Sequence, residues 1–294
     1  MKRKLFALAL ALGLMLSLAA CSNGATGTAQ TPAPNQDTEQ QNSEQNGGQS
    51  SDGQLSAESD LNYVKEKGTL IVGMTDFAPM DYKEEGSDEW IGFDADMARA
   101  FAAYLGVEVE FLELGNWDTK AIELETKAID VVWNGMTLDE EVRSLMSVSE
   151  PYCLNKQVVV LPASKAEDYQ TTDSLSGLSF AAENGSAGAD ELEALDIPYT
   201  ATQNQSQALM EVASGASDAC VIDLLMAGAM IGEGTSYPDL TYTVQLNSEE
   251  YGVGFRKDSD LVDAFNSFWK EAYDAGTVME VANTYGVQES IIEK

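Results

Sequence analysis

In residues 130–152, DVVWNGMTLDEEVRSLMSVSEPY, side-chain types and spacing suit the capture of a small anion. The β-branched Ile129, Val131 and Val132 favour a strand, and Asn134-Gly135 breaks it where backbone can come close to a small molecule. Thr137 offers a hydroxyl and, from the start of the acidic helical turn that follows, a backbone N–H; such a donor pair holds anions. The plainer reading of the same residues is a strand, a turn and a capped helix, which any α/β protein contains. Two exclusions narrow the chemistry. The chain has no histidine, so a His-based triad, a His-ligated zinc and a histidine haem ligand are ruled out. Its net charge of −33 rules out nucleic acid as a partner.

The elements that position this stretch begin after two segments that do not belong to a fold. Residues 1–21 carry Lys2, Arg3 and Lys4, then an apolar run, and end in Leu18-Ala19-Ala20-Cys21. This pattern is an export signal whose last four residues resemble the bacterial lipobox. A lipobox implies an acylated Cys21 as the mature N-terminus and an anchor on the outer side of the cytoplasmic membrane. Residues 22–60 are Gln, Asn, Ser, Thr, Gly and Pro with six acids and no Lys or Arg, too polar to bury a core, and read as a disordered tether. What remains, from residue 61 on, holds 13 basic and 43 acidic residues, a net of −30. Cys153 and Cys220 are left as a disulfide or as two buried thiols; neither a metal site nor a cofactor is expected.

Residues 70–73 read as a strand and residues 94–105 as a helix capped by Asp94, with Met97, Phe101, Tyr104 and Leu105 on one face and Gly106 as its stop. A strand at 107–112, a helix at 118–127 and the strand before Asn134 complete two βαβ units, hence a parallel sheet with right-handed crossovers. Ligands of such sheets lie at the carboxyl ends of the strands. A second series follows: strands at 157–161, 178–182 and 219–222, with the small-residue loop ENGSAG opening a helix after the second of them. A strand at 251–255 and a helix capped by Asp258, with Leu261, Phe265, Phe268, Trp269 and Ala272 at helical spacing, bring the chain back.

The segments GTLIVG, EWIGFDADMARAFAAYLG, IDVVWNGMTLDEEVRSLMSVSEPY, SDACVIDLLMAG and YGVGFRKDSDLVDAFNSFW, taken together and in order, resemble the polar amino-acid family (family 3) of solute-binding proteins of ABC importers. The resemblance implies an α/β, two-lobed periplasmic-binding-protein-like (type II) fold. Lobe 1 is expected at 61–152 plus 251–294 and lobe 2 at 153–250, with two crossing strands near 151–155 and 245–250. It also implies site roles. Gly135 would accept from a ligand's α-ammonium through its carbonyl, and Asp223 would pair with that ammonium. Thr137 and Ser186 would hold the α-carboxylate, Ser186 from a helix N-terminus. Phe77 and Trp117 would stack on a side chain or cover a cation, although Trp117, like Trp133, fits a core as well.

One position departs from the family pattern. An arginine that grips the carboxylate is expected five residues beyond Thr137, where this chain has Val142, with Arg143 one place further on. One helical residue turns a side chain by about 100°, so either Arg143 bends back, or Thr137, Ser186 and backbone suffice, or the ligand lacks that carboxylate. Glu183, where relatives often have glutamine, reads as a solvated loop acid or as a second acid favouring a cation.

The expected function is capture of an amino acid or similar small polar solute for membrane permease subunits, by a monomeric, non-enzymatic, lipid-anchored protein. Two alternatives stand beside it. One is an enzyme on the same scaffold, such as a cyclohexadienyl-dehydratase-like protein with Glu183 or Asp223 as general acid. The other is a ligand-sensing ectodomain, which the lack of a transmembrane segment or signalling domain after Lys294 disfavours.

Overall fold

The computed structural model describes residues 59–294. Two sheets organise them. The first has the strand order Glu108–Glu113, Thr69–Met74, Val131–Thr137, Glu249–Phe255, Ser147–Val148, with Cys153–Asn155 pairing further along Glu249–Phe255. Its first three strands are parallel and Glu249–Phe255 runs against its partners. The second sheet has the order Tyr199–Thr202, Phe180–Glu183, Ala219–Asp223, Gln157–Pro162, Leu240–Gln245, again three parallel strands and then an antiparallel turn-back. In each, the first strand in sequence of the parallel set lies between the other two, which leaves a crevice at the strands' carboxyl ends. The chain passes between the sheets twice, from Cys153–Asn155 into Gln157–Pro162 and from Leu240–Gln245 into Glu249–Phe255. This is the two-lobed type II architecture.

Helices cover both faces of each sheet because the strands are apolar on both sides: Val131, Val132, Trp133 and Met136 are all buried, as are Val158, Val159, Val160 and Leu161. The helix Leu261–Asp274 puts Leu261, Phe265, Phe268, Trp269 and Ala272 into the core at the spacing read from the sequence. Trp133 is fully buried in that aromatic cluster, 5.0 Å from the Phe265 ring centroid and edge-on to it. Beneath the first sheet the buried Arg256 ties distant segments together. Its Nε donates to both carboxylate oxygens of Asp60 at 2.9 Å, Nη1 to the Ile129 carbonyl at 2.7 Å and Nη2 to Asp130 at 3.2 Å. Lys67 reaches the other Asp130 oxygen at 2.5 Å.

Several local expectations are corrected. The strand does not break at Asn134-Gly135; it runs on to Thr137, with Gly135 at φ 55°. A Cβ there would stand 2.5 Å from the Phe77 ring and 2.9 Å from that of Tyr251, so only glycine lets both rings close on the strand. The helix starts at Phe93 with Gly92 as N-cap, and Asp94 is a buried residue of its first turn. Tyr104 is exposed on that helix, resting on Phe268 from outside. Asp258, at φ 60°, does not cap Leu261–Asp274; Asp260 occupies the N-cap position, and its carboxylate accepts from Leu61 N–H and the Ser59 hydroxyl. Cys153 and Cys220 are both free and buried, and burial pushes both thiols up. Cys21, residues 1–21 and nearly all of 22–60 lie outside the described residues.

Candidate functional site

The carboxyl ends of the two parallel sets face each other across a small cavity open to solvent at its mouth. Lobe 1 contributes the end of one strand, Asn134 to Thr137, with Asp139 and Val142 beyond it and the turn bearing Trp117 and Lys120. Lobe 2 contributes Glu183, Ser186 and Asp223 from its own strand ends, with Gln157, Gln205 and Asp190 around them. The lobes touch at the rim: Asn184 Nδ2 donates to Asn116 Oδ1 at 3.1 Å, and Lys120 Nζ reaches the Gly185 carbonyl at 3.4 Å.

Beneath the lobe 1 wall lies a polar scaffold. Asn134 Oδ1 accepts from the Thr75 N–H at 3.1 Å and its hydroxyl at 2.9 Å, while Nδ2 donates to the Thr75 carbonyl at 3.0 Å and to Asp81 Oδ2 at 2.7 Å. Asp94 accepts from the Gly135 N–H at 2.7 Å and from the Tyr152 hydroxyl at 2.8 Å. These bonds fix the backbone around Gly135. Burial pushes the Asp94 carboxyl up to about 7, against the pull of Tyr152 and Gly135. Asp81 is likewise driven well above the carboxylate range, by burial first and then by Asp94 beside it.

On the lobe 2 side, Ser186 caps the helix Ala187–Ala194, its hydroxyl oxygen accepting from Ala189 N–H at 3.2 Å. Asp223 is buried among four donors: Asn155 Nδ2, Gln157 Nε2 (2.8 Å), Gln205 Nε2 and the Tyr251 hydroxyl. Asn155 and Gln157 also donate to Glu249 Oε1, at 2.6 and 2.9 Å, so two carboxyls on different strands share two amides where the chain crosses between lobes. Burial and the Glu249 charge hold the Asp223 carboxyl well above its ordinary range. Burial also raises Glu183 to about 8, although Thr75, Lys120 and Gln205 pull it down. Lys120 is lowered by burial while Asp118, Asp139, Glu183 and Asp190 oppose the shift.

These shifts set a pH dependence. Unfolded, the two acids ionise near 3.8 and 4.5; folded, Asp94 keeps its proton to about 7 and Glu183 to about 8. As pH rises the unfolded chain releases protons first, so the ligand-free fold loses stability between about pH 4 and 8, by up to about 1.4 kcal/mol per unit for each group. Asp218, lowered to about 2 by its Ser179 and Lys165 bonds, acts in the opposite sense but below that window. Urea midpoints should therefore be lower at pH 8 than at pH 5, and an equal or higher midpoint at pH 8 contradicts the assignment.

The family model for bacterial extracellular solute-binding proteins, family 3, matches residues 70–288. The chain belongs to this family. Its relatives include the arginine-binding extracellular protein ArtP of Bacillus subtilis, 31% identical over 71% of this chain and 83% of that protein. Among solved structures, the substrate-binding protein of an ABC uptake transporter from Streptococcus pneumoniae with bound histidine superposes with a TM-score of 0.73 at 26% identity, covering 81% of this chain and all of the other. An ancestral amino acid-binding protein, AncCDT-1, described as a precursor of cyclohexadienyl dehydratase, gives 0.70 at 26% identity over 77% and 99%.

In this solute-binding protein the cleft brings together Trp117, Gly135, Thr137, Ser186 and Asp223. Two expected residues stand outside it. Phe77 is buried beneath Gly135, edge-on to Tyr251 with centroids 6.3 Å apart. Arg143 is exposed, its Nε turned to the Leu138 carbonyl at 3.3 Å, because the helix Glu140–Leu145 is regular and Val142 takes the inward position. Thr137 is the last residue of its strand; the following turn is capped by Asp139, whose carboxylate accepts from Val142 N–H at 2.7 Å. Glu183 is not a solvated loop acid but a strand-end residue, 3% exposed, in the cavity wall. Residue reasoning missed Lys120, Asn134, Gln157 and Gln205. Only Lys120 carried a signal: it lies three positions after Trp117, hence on the same helical face.

Proposed function

We propose that the chain is the extracytoplasmic solute-binding lipoprotein of an ABC importer, non-enzymatic and monomeric, that captures an amino acid between two closing lobes. The observation that carries this reading is that donors and acceptors both line one cavity: Lys120, Thr137 and Ser186 on one hand, Gln157, Glu183 and Asp223 on the other. An α-carboxylate fits the first set and an amine the second. Lys120 takes the electrostatic part that Arg143 is turned away from, its ammonium 5.0 Å above the Trp117 ring with no carboxylate within 4.0 Å among the described residues. The solute contacts both lobes, so binding shifts the population toward the closed form, which presents both lobes to the permease. An acylated Cys21 anchors the protein and residues 22–60 tether it.

A thermal-shift screen of the full-length protein against free amino acids and their carboxyl-amidated partners tests this reading. A ligand at a hundred times its Kd adds about 2.7 kcal/mol to the native state, a shift of several degrees. Free amino acids should stabilise and amides should not; no shift with any of them rejects the proposal. For the ligand so found, Lys120→Met should weaken binding at least tenfold, as loss of a hydrogen bond to a charged group costs about 1.5–3 kcal/mol. Arg143→Ala should leave Kd within about twofold.

The raised Glu183 carboxyl keeps the enzyme reading in view as the second one, since a buried protonated acid could protonate a leaving hydroxyl. Turnover of a cyclohexadienyl acid that Glu183→Gln abolishes would establish it.

A further inference from the structure

We propose that Glu183, together with Gln157, selects a solute whose side chain carries a cationic, hydrogen-bond-donating group, an inference that rests on the amino-acid reading above. Both residues line the cavity and both are nearly fully buried, Glu183 at 3% and Gln157 at 2% exposure. Among the described residues, Glu183 Oε1 and Gln157 Oε1 each lack a hydrogen-bond partner. Buried acceptors are nearly always satisfied, so two in one cavity wall define where donors must arrive. Asp223 differs: three donors crowd its Oδ1, whereas Oδ2 accepts from Gln205 Nε2 alone and keeps room for the α-ammonium. The helix residue Gly188 keeps the amide oxygen clear, since a Cβ there would stand 2.9 Å from Gln157 Oε1.

Charge points the same way. Four acids, Asp139, Glu183, Asp190 and Asp223, line the cavity against the single lysine Lys120, so an arriving cation finds carboxyls to ionise beside it. The groups around Glu183 are the Thr75 and Gln205 side chains, the Lys120 ammonium and the Asp76 carboxyl. Lys120 sits on the carbonyls of Trp117 and Gly185, each at 3.4 Å, and faces Asp118, Asp139 and Asp190 as well, so its charge is shared away from Glu183. An apolar side chain would seal both acceptor oxygens without partners, and an acidic one would meet like charge. A guanidinium or ammonium supplies donors and charge together. On its arrival the Glu183 carboxyl gives its proton to the buffer and forms an ion pair with the incoming cation.

Isothermal titration of the full-length protein with L-arginine against L-citrulline, and L-lysine against L-norleucine, at pH 7 in two buffers of different ionisation heat, tests the assignment. The cationic member of a pair should bind at least tenfold more tightly and release close to one proton. In Glu183→Gln the gap should shrink below threefold and the proton release vanish, while Glu183→Asp should recover part of both. The retained melting transition of each variant confirms its fold. Equal affinity for cationic and neutral partners, or a gap unchanged in Glu183→Gln, overturns the inference. Binding of citrulline or glutamine without arginine or lysine overturns it while leaving the amino-acid reading intact; binding of no amino acid removes both.

Discussion

Arg256→Met should cost the fold about 3–5 kcal/mol, the loss typical when one partner is taken from a buried ion pair and the other stays charged and dry. Two carboxylates depend on this guanidinium. Asp60 is 9% exposed and Asp130 fully buried, and Lys67 remains on only one oxygen of Asp130. The carbonyl of Ile129, at the entry to the strand that leads into the cleft, also loses its donor. The substitution keeps much of the side-chain bulk, so the loss reports charge and hydrogen bonding rather than a cavity. Urea unfolding followed by tryptophan fluorescence measures it. A change under about 1 kcal/mol at unchanged m-value would show that the network is structurally dispensable.

Gly185→Ala should weaken solute binding far more than it destabilises the ligand-free fold. Gly185 has φ 70°, and an added Cβ would lie 2.6 Å from Asp118 Cβ and 2.8 Å from its Cα, across the cleft in the other lobe. The three nearest atoms all belong to Asp118, so the clash falls on the contact between the lobes, beyond about 1–2 kcal/mol of local strain from the left-handed conformation. If closure supplies most of the solute contacts, affinity should fall roughly a hundredfold, about 2.7 kcal/mol. Small-angle scattering with and without the best-stabilising amino acid should show contraction in the parent and none in the variant. An unaltered Kd with normal contraction would mean that the rim contact plays no part in capture.

The sequence was most legible where burial repeats. Strands apolar on both faces and the helix carrying Leu261, Phe265, Phe268, Trp269 and Ala272 place themselves, because periodicity encodes which face is dry. It was least legible where a polar residue is held by distant partners. Asp94 looks like an N-cap in sequence; only the folded chain sets it against Tyr152 and Gly135, 58 and 41 residues away. Glu183 sits in a run of small loop-forming residues, and the groups that act on it, Thr75, Lys120 and Gln205, are distant in sequence. Gln157 and Gln205 are ordinary polar residues until the sheet order places them beside Asp223. Arg143 shows the reverse case, where helical geometry alone decided that Val142 and not its neighbour faces inward.

One cavity-lining residue, Gln157, also belongs to the joint. Asn155 and Gln157 stand on one crossing and Glu249 on the other; Asp223 meets them at the wall, and Asn247 locks the pair by accepting from Gln157 N–H at 2.7 Å and donating to Glu249 at 2.9 Å. Solute recognition and the crossing strands thus share one hydrogen-bond network. If the proposed closure bends here, a change at Asn247 or Glu249, neither of which lines the cavity, should alter the fraction of molecules poised to close and scale the apparent Kd by that fraction. Affinity would then be set at the joint, with every cavity-lining group left in place.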